Sequence, residues 1–554
     1  MTASADMSGS LLRDRMPAGR LRSAPAYVRW LLLVGGAVLT GFTVLFPQIG
    51  LLEWVSLIPS VAVILTLAAD PTIRLRRMYL YGLAFFESYY LVIFHWFLYM
   101  YPLTFAGLSD GASAVVVAVA WIGLSAFQAV GAALVFPLLA LAVRGRWLSR
   151  YPLLHPFLFA AMWTVLEWWQ ANSGWSGVPW GRLPLGQVGL LITAESAAYF
   201  GSYFVTFLLV AVNGAAACLL LYPDRRRLCA GLAAGMFLCD VALGGLRLLT
   251  YRDEGEAVTV AAAQGNMSSL DKWSGDSLQK ASTIYADLTA QAAADGAVLV
   301  VWPETALAAR LDQSESMQDY LSSLAQETGV TLLVGTFTGE EGASSGSDYN
   351  SVVAVLPDGS FHGTVYNKRN PVPFGEFVPF RELVMTLVPP LAEVGMLDSD
   401  LLVGEESVVF DLNEGRVGSM ICFDSIYERN ALESVRNGAE LLAVSTNDSW
   451  FQDSRGIWMH NAQSQLRAIE TGRYMIRSGN TGVSSVISPT GQVEAELGPL
   501  VSGYVTGQVH FNGSRTPYSY IGNLFAYLCI ALCALSVLAR PVEAVYRCRK
   551  QRGH

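Results

Sequence analysis

Charge is what this sequence has least of. Only 15% of its 554 residues are Asp, Glu, Lys or Arg, against roughly a quarter in a soluble protein. With 53% of residues hydrophobic, too little polar surface remains for an ordinary cytosolic enzyme or a disordered chain. Cysteine is also scarce: seven in so long a chain, an odd number, are too few for a disulfide scaffold. A Gly-rich phosphate loop, an HExxH pair, a CxxC pair and any internal repeat are all missing, so nucleotide, zinc and disulfide-exchange chemistry lack support. Nor is there the basic surface that a nucleic-acid partner needs.

The charge that is present falls unevenly. Residues 252–518 hold 34 acids and 15 bases, whereas the rest of the chain holds 11 acids and 21 bases. The basic remainder is built of apolar runs. A membrane crossing takes about 20 apolar residues, and seven such runs precede residue 252, at about 28–46, 49–68, 78–100, 113–142, 153–171, 197–221 and 228–249. An eighth, about 519–539, follows the acidic block. Arginines cluster before the first run (Arg13, Arg15, Arg20, Arg22, Arg29), between the second and third (Arg74, Arg76, Arg77) and between the fourth and fifth (Arg144, Arg146, Arg150). They recur between the sixth and seventh (Arg225, Arg226, Arg227) and in the tail. Basic residues mark cytoplasmic loops, and eight spans put every cluster on one side. The expected organisation is a cytoplasmic tail (1–27), seven spans (28–251), an extracytoplasmic domain (252–518), an eighth span (519–539) and a basic cytoplasmic tail (540–554). The acids and His inside or beside the runs (Glu87, His95, Glu167, Glu195, Asp240) are expected near helix ends or bonded to neighbouring helices.

The acidic block alternates strand-like runs (Val258–Ala263, Val298–Trp302, Val330–Thr336, Ser351–Leu356, Val417–Cys422, Leu441–Thr446) with helical patterns near 277–294, 317–328, 428–437 and 459–472. That alternation predicts a layered α/β fold. Three residues stand at or beside strand ends, where reactive groups are commonly displayed: Glu304, Lys368 and Cys422. A carboxylate that takes a thiol proton, a thiolate nucleophile and an ammonium facing the oxyanion together suit acyl transfer. Each residue alone has a plainer use, as a helix cap, a surface charge or a small buried apolar group. Cysteine placement tips the balance, because Cys422 is the only cysteine between residues 252 and 518 and so has no disulfide partner there.

These ordered motifs resemble those of the nitrilase (carbon–nitrogen hydrolase) superfamily, and the chain from roughly 28 to 540 resembles the bacterial apolipoprotein N-acyltransferases. The residues that carry the resemblance are Gln264-Gly265-Asn266 with Trp273, Trp302-Pro303-Glu304-Thr305, Pro373-Phe374-Gly375-Glu376-Phe377, Thr446 through Phe451, and Arg473, Arg477 and Asn480-Thr481-Gly482. The resemblance implies Glu304 as general base, Lys368 as oxyanion stabiliser and Cys422 as nucleophile, with Glu376 and Trp273 as further essential residues. One departure stands out: the family commonly has Tyr-Glu after the nucleophile, where this chain has Phe423-Asp424. The implied fold is a polytopic helical membrane domain plus an α-β-β-α sandwich. The implied reaction moves an acyl chain from a membrane glycerophospholipid, through a Cys422 thioester, to the N-terminal amine of a diacylglyceryl apolipoprotein, in the bacterial cytoplasmic membrane. It requires no metal and no organic cofactor, and a monomer is expected. A membrane-tethered amidase and a non-catalytic lipoprotein-binding scaffold remain as other readings.

Overall fold

The computed structural model describes residues 19–103, 108–268, 272, 275–339, 348–387 and 400–552; Trp273, expected at the site, lies outside them. So far as they are described, Met1–His95, Ala118–Leu249 and Ile521–His554 form one compact unit, and Trp96–Val117 and Thr250–Tyr520 a second.

The apolar part of the chain is helical: α1 (Ala26–Leu45), α2 (Ile58–Ala69), α3 (Leu75–Ile93), α4 (Asp110–Ala132), α5 (Val135–Val143), α6 (His155–Asn172), α7 (Ser202–Leu221), α8 (Arg226–Thr250) and a last helix, Leu524–Arg552. Among the described residues five stretches are long and apolar enough to cross a membrane: Ala26–Leu45, Pro47–Ala69, Asp110–Val143, Ser202–Leu221 and Pro223–Thr250. They correspond to five of the eight expected runs. The other three differ for visible reasons. α3 carries Arg76, Arg77 and Glu87, α6 carries His155, Glu167, Gln170 and Asn172, and the apolar portion of the last helix, Leu524–Leu538, is shorter. Some buried polar groups here bond to their neighbours, as low-dielectric packing favours. Glu167 accepts from Thr206 Oγ1 at 2.5 Å, Leu183 N at 3.0 Å and Trp163 Nε1 at 3.2 Å. Asp240 accepts from Ser196 Oγ. Arg144 donates to the carbonyls of Leu67, Ala68 and Ile73, the first two in the last turn of α2, where carbonyls run short of helical partners.

Among the described residues of the second unit twelve strands make two six-stranded sheets. The first has the order β12-β1-β2-β3-β4-β5 and the second β11-β10-β9-β8-β7-β6. Their ranges are β1 (Val258–Gln264), β2 (Leu299–Val301), β3 (Thr331–Gly339), β4 (Asp348–Val355), β5 (Phe361–Asn367), β6 (Val409–Leu412), β7 (Gly415–Ile421), β8 (Leu441–Thr446), β9 (Tyr474–Gly479), β10 (Ser484–Ile487), β11 (Val493–Leu497) and β12 (Gly503–Val509). β1, β2 and β3 run parallel, as do β7, β8 and β9; their neighbours are antiparallel.

Both faces of each sheet are covered, which is why the central strands read as unbroken apolar runs rather than alternating ones. Leu299, Val301, Leu333 and Val352 pack between the sheets against Val417, Ile421, Leu441 and Ile476. The intervening Val300, Leu332 and Val334 point the other way, onto Tyr285 and Leu288 of α9 (Ser277–Ala294) and Leu321 and Leu324 of α10 (Glu315–Thr328). On the second sheet Met420, Leu442 and Met475 meet Ala431 and Val435 of α11 (Glu428–Arg436) and Ala468 of α12 (Arg455–Thr471). The result is an α-β-β-α sandwich. Burial of each such Val or Leu contributes roughly 1.5–3 kcal/mol. The parallel strands of both sheets deliver their C-terminal ends to connecting loops, where α/β folds place their reactive groups.

Candidate active site

Glu304 lies three residues beyond β2, on a turn pressed against β3. A Cβ on Gly335 would stand 2.1 Å from Pro303 O, so only glycine lets this turn lie so close. The turn is strained: Thr305 has φ +47°, a conformation that costs a non-glycine residue on the order of 1–3 kcal/mol. Ser445 of β8 donates to Trp302 O at 2.8 Å, and the amide of Asn447, just past β8, donates to Glu304 Oε2 at 2.9 Å. The second sheet therefore aims a carboxylate that belongs to the first.

Lys368 follows β5, and its amide pairs with Asn350 O of β4 at 2.8 Å. Its ammonium is 2% exposed and donates to Glu304 Oε1 at 2.7 Å. On its other side it meets both oxygens of Glu376, at 2.9 and 2.7 Å. Asn350 Nδ2 donates to the same two carboxylates, at 2.8 Å to Glu304 and 3.0 Å to Glu376. Burial alone would lower the Lys368 pKa, but Glu304 and Glu376 outweigh it and hold the value well above that of an ordinary lysine. Glu376 is fixed by its own turn, where its Oε2 accepts the Val372 amide at 2.8 Å. In that turn Phe374 takes φ +61° and is exposed, as is Phe380 with φ +52°. Val378 is buried, with its amide on Asp400.

Cys422 follows β7 at φ +50°, a sharp elbow where its side chain packs at the margin of the core between the sheets. Burial pushes its thiol pKa up; the Glu304 charge adds to this and the Lys368 ammonium opposes it. Glu304, Lys368 and Cys422 are thus brought together, with Glu376 beside them. Asp424, fully buried, serves the elbow. It accepts the Tyr366 hydroxyl at 2.8 Å, the Asn370 amide at 2.7 Å, and the Arg369 and Ile421 amides at 3.2 Å. Phe423 packs edge-on against Tyr427, ring centroids 5.6 Å apart.

Beneath the elbow His460 Nδ1 lies 2.8 Å from Asp448 Oδ1, and its Nε2 lies 3.2 Å from both Cys422 O and Ser425 Oγ. Arg477 donates to Asp448 Oδ2 at 2.7 Å. Burial and Arg477 lower the His460 pKa, so the ring is neutral near pH 7 and its Nδ1–H donates to the carboxylate. Cys422, Asp448 and His460 bring candidate metal-donor atoms within 4.8 Å of one another. A cation there would face the Arg477 guanidinium and compete for oxygens already bonded to His460, Thr446 and Arg477. The group is better suited to holding the elbow than to holding a metal.

Sequence reasoning missed Asn350 and His460, and passed over Lys272. Lys272 donates to Glu304 O and Thr305 Oγ1, both at 3.0 Å. It stands next to Trp273 in a stretch that the motifs had marked. Asn350 carried no signal, because the run containing it reads as a polar turn.

Residues 259–516 match the carbon–nitrogen hydrolase family, and residues 36–215 match the apolipoprotein N-acyltransferase N-terminal domain. An apolipoprotein N-acyltransferase from Gloeobacter violaceus is 31% identical over 98% of this chain and 100% of its own length. One from Methylococcus capsulatus is 32% identical over 68% of this chain and 72% of its own. The solved carbon–nitrogen hydrolase from Helicobacter pylori G27 aligns with 46% of this chain and 89% of that one, at 20% identity and a TM-score of 0.36. A match that runs the length of a relative, through both domains, shows that the chain belongs to the apolipoprotein N-acyltransferase family.

Proposed function

We propose that the chain transfers an acyl group from a membrane glycerophospholipid to the free α-amine of an S-diacylglyceryl-cysteine at a lipoprotein N-terminus, by way of a Cys422 thioester. The observation that carries this is the Lys368 ammonium bonded to Glu304 beside an elbow cysteine, on a chain joined to helices long and apolar enough to cross a membrane.

Each residue has a stated task. Glu304 takes the thiol proton, for which its Oε2 still has a lone pair beyond the Asn447 bond. The thiolate attacks the ester carbonyl, and Lys368 stabilises the oxyanion as it forms. Collapse expels the lysophospholipid alkoxide, which takes its proton back from Glu304. The lipoprotein amine then attacks the thioester, Glu304 removes the amine's proton, and the thiol is regenerated. Glu376 and Asn350 hold Lys368 and Glu304 at their places. Trp273 is proposed to cover the substrate, and Phe423 and Asp424 to support the elbow. Phe374 and Phe380, projected into solvent by left-handed backbone, are suited to meet acyl chains at a membrane surface.

The Arg clusters favour eight spans, both termini in the cytoplasm and the sandwich on the outer face of the cytoplasmic membrane, with the protein acting as a monomer. Both substrates are anchored by acyl chains, so an active domain tied to that membrane meets their polar ends.

The test is to incubate the purified protein with acyl-labelled phospholipid alone. Label should appear on Cys422, with lysophospholipid released; neutral hydroxylamine should remove it and Cys422→Ala should prevent it. A lipopeptide with a free N-terminal amine should then take the label, and its N-acetylated form should not. Rapid release of free fatty acid without acceptor would make this a hydrolase and sink the proposal.

A further inference from the structure

Lys272 is a buried lysine that the mechanism above does not use. The residue is 5% exposed. Its backbone is held from both sides, the amide on Ser268 O at 3.1 Å and the carbonyl by Ser277 Oγ at 2.7 Å. Two of its three N–H donors go to Glu304 O and Thr305 Oγ1, the turn with the strained φ that presents the Glu304 carboxylate. A flexible four-carbon stem fixed at both ends is costly in entropy, and a fully buried ammonium is costly in solvation.

Charge accounts for why it is there. Two carboxylates, Glu304 and Glu376, share one ammonium, Lys368, and of the two it is the Glu304 charge that bears on the thiol. Asp448 also opposes a charge on the thiol but is itself paired with Arg477, His460 is neutral, and Asp424 is held by amides and the Tyr366 hydroxyl. The Glu304–Glu376–Lys368 group therefore carries a surplus negative charge, which opposes both a thiolate and an oxyanion. One more cation brings it to neutrality.

We infer that Lys272 is a second cation of the active site, a positioning residue that fixes the Glu304 turn and offsets the surplus negative charge acting on Cys422. This rests on the proposed role of Cys422 as nucleophile. The step it assists is an internal proton transfer: the Cys422 S–H bond breaks, a Glu304 O–H bond forms, and the ammonium keeps its own proton. Burial brings the Lys272 ammonium down to about 8, with Glu304 and Cys422 pulling it back up. It is charged near neutrality and loses that charge in the alkaline range.

The experiment is the rate of iodoacetamide alkylation of Cys422 in the purified full-length protein, read on the Cys422 peptide by mass spectrometry from pH 6 to 10. Three variants separate charge from bonding: Lys272→Arg keeps both, Lys272→Gln keeps a donor without charge, and Lys272→Met keeps neither. Lys272→Gln and Lys272→Met should move the alkylation profile at least one pH unit upward, which lowers the neutral-pH rate about tenfold. Lys272→Arg should stay within about threefold of wild type. A wild-type profile in Lys272→Gln, or an arginine variant as slow as the glutamine one, overturns the inference. Those outcomes leave the acyl-transfer proposal standing, because that is judged separately by Cys422 acylation from phospholipid. Arginine and glutamine retain hydrogen-bonding length, so the comparison survives if the methionine variant fails to fold.

Discussion

Asp424 accepts the Tyr366 hydroxyl at 2.8 Å, and this bond ties the elbow that follows β7 to β5, the strand that delivers Lys368. The same carboxylate takes the Arg369 and Asn370 amides, the two that follow Lys368, and the Ile421 amide just before Cys422. Nucleophile and ammonium come from different sheets, and one side chain holds both backbones.

Replacing Asp424 by Asn turns an all-acceptor group into one with a donor facing donors. Each buried amide left unpaired costs about 1–3 kcal/mol. Asp424→Asn should lose about 2 kcal/mol or more in thermal unfolding and lower the rate of Cys422 acylation at least tenfold. Tyr366→Phe, which removes only one donor, should lose about 1 kcal/mol. An acylation rate unchanged in Asp424→Asn would show that the elbow does not depend on this anchor.

Lys368 is the only cation bonded directly to the Glu304 and Glu376 carboxylates among the described residues. Lys368→Met should lower acylation about a hundredfold or more, as loss of an oxyanion donor does, and should leave two buried carboxylates that cannot both stay ionised. Adding Glu376→Gln to that variant should recover stability in thermal unfolding without recovering acylation. Recovery of both would return Lys368 to a purely structural role.

Asn350 bridges the same carboxylates by its amide nitrogen. Asn350→Ala removes one donor, whereas Asn350→Asp introduces a third carboxyl, so the second should be the more damaging despite its shape. Like charges and burial raise the introduced group's folded pKa above its unfolded value of about 3.9. Its penalty is therefore full at high pH and fades as pH falls through the raised value. Unfolding temperatures of Asn350→Asp and Asn350→Ala should converge as pH is lowered; a gap independent of pH would contradict the charge argument.

Asp448 is buried against Arg477 and His460. Burial alone would raise its pKa, but Arg477 and His460 hold it well below the usual carboxylate range. A depressed carboxylate contributes stability that is present above the unfolded value near 3.9 and lost as pH falls through the lower folded one. Arg477→Met removes the cation paired with Asp448, leaving a buried carboxylate short of a partner at a cost of roughly 3–5 kcal/mol. Its acid unfolding midpoint should move to higher pH than wild type. An unmoved midpoint would mean that the pair does not control acid stability.

Orientation is tested on two exposed positions. Gly363, where an added Cβ meets nothing within 4 Å, accepts a cysteine on β5; Arg146 offers one between the fourth and fifth expected spans. In intact spheroplasts an impermeant maleimide should label Gly363→Cys and spare Arg146→Cys until the membrane is opened. The reverse pattern would overturn the eight-span arrangement.

Much of the second unit was legible because its signals are local. β2, β7 and β8 are runs of apolar residues bounded by polar ones, and α9 and α12 follow from helical spacing, so Glu304 and Cys422 could be placed at strand ends. Of the strands not anticipated, β5, β6, β9, β10, β11 and β12, β12 and β5 are edge strands that bury few residues and show no apolar run, the latter with a single buried position, Tyr366. β4 begins three residues earlier than its apolar core suggests, since Asp348, Tyr349 and Asn350 pair with β3 through backbone alone. That extension is what brings Asn350 to the site.

Composition, hydropathy and residue order were therefore enough to separate an apolar helical part from an acidic α/β part, and to single out Glu304, Lys368 and Cys422. Each of those inferences depends on neighbours along the chain. What only the tertiary structure decided is which groups share a few ångströms: Asn350 between two carboxylates, Asp424 between two strands, Lys272 on the Glu304 turn, and His460 with Asp448 and Arg477 beneath Cys422. Those pairings join residues from 12 to 58 positions apart. They exist because two sheets stack and bring their strand ends to one edge, a relation that no local pattern encodes.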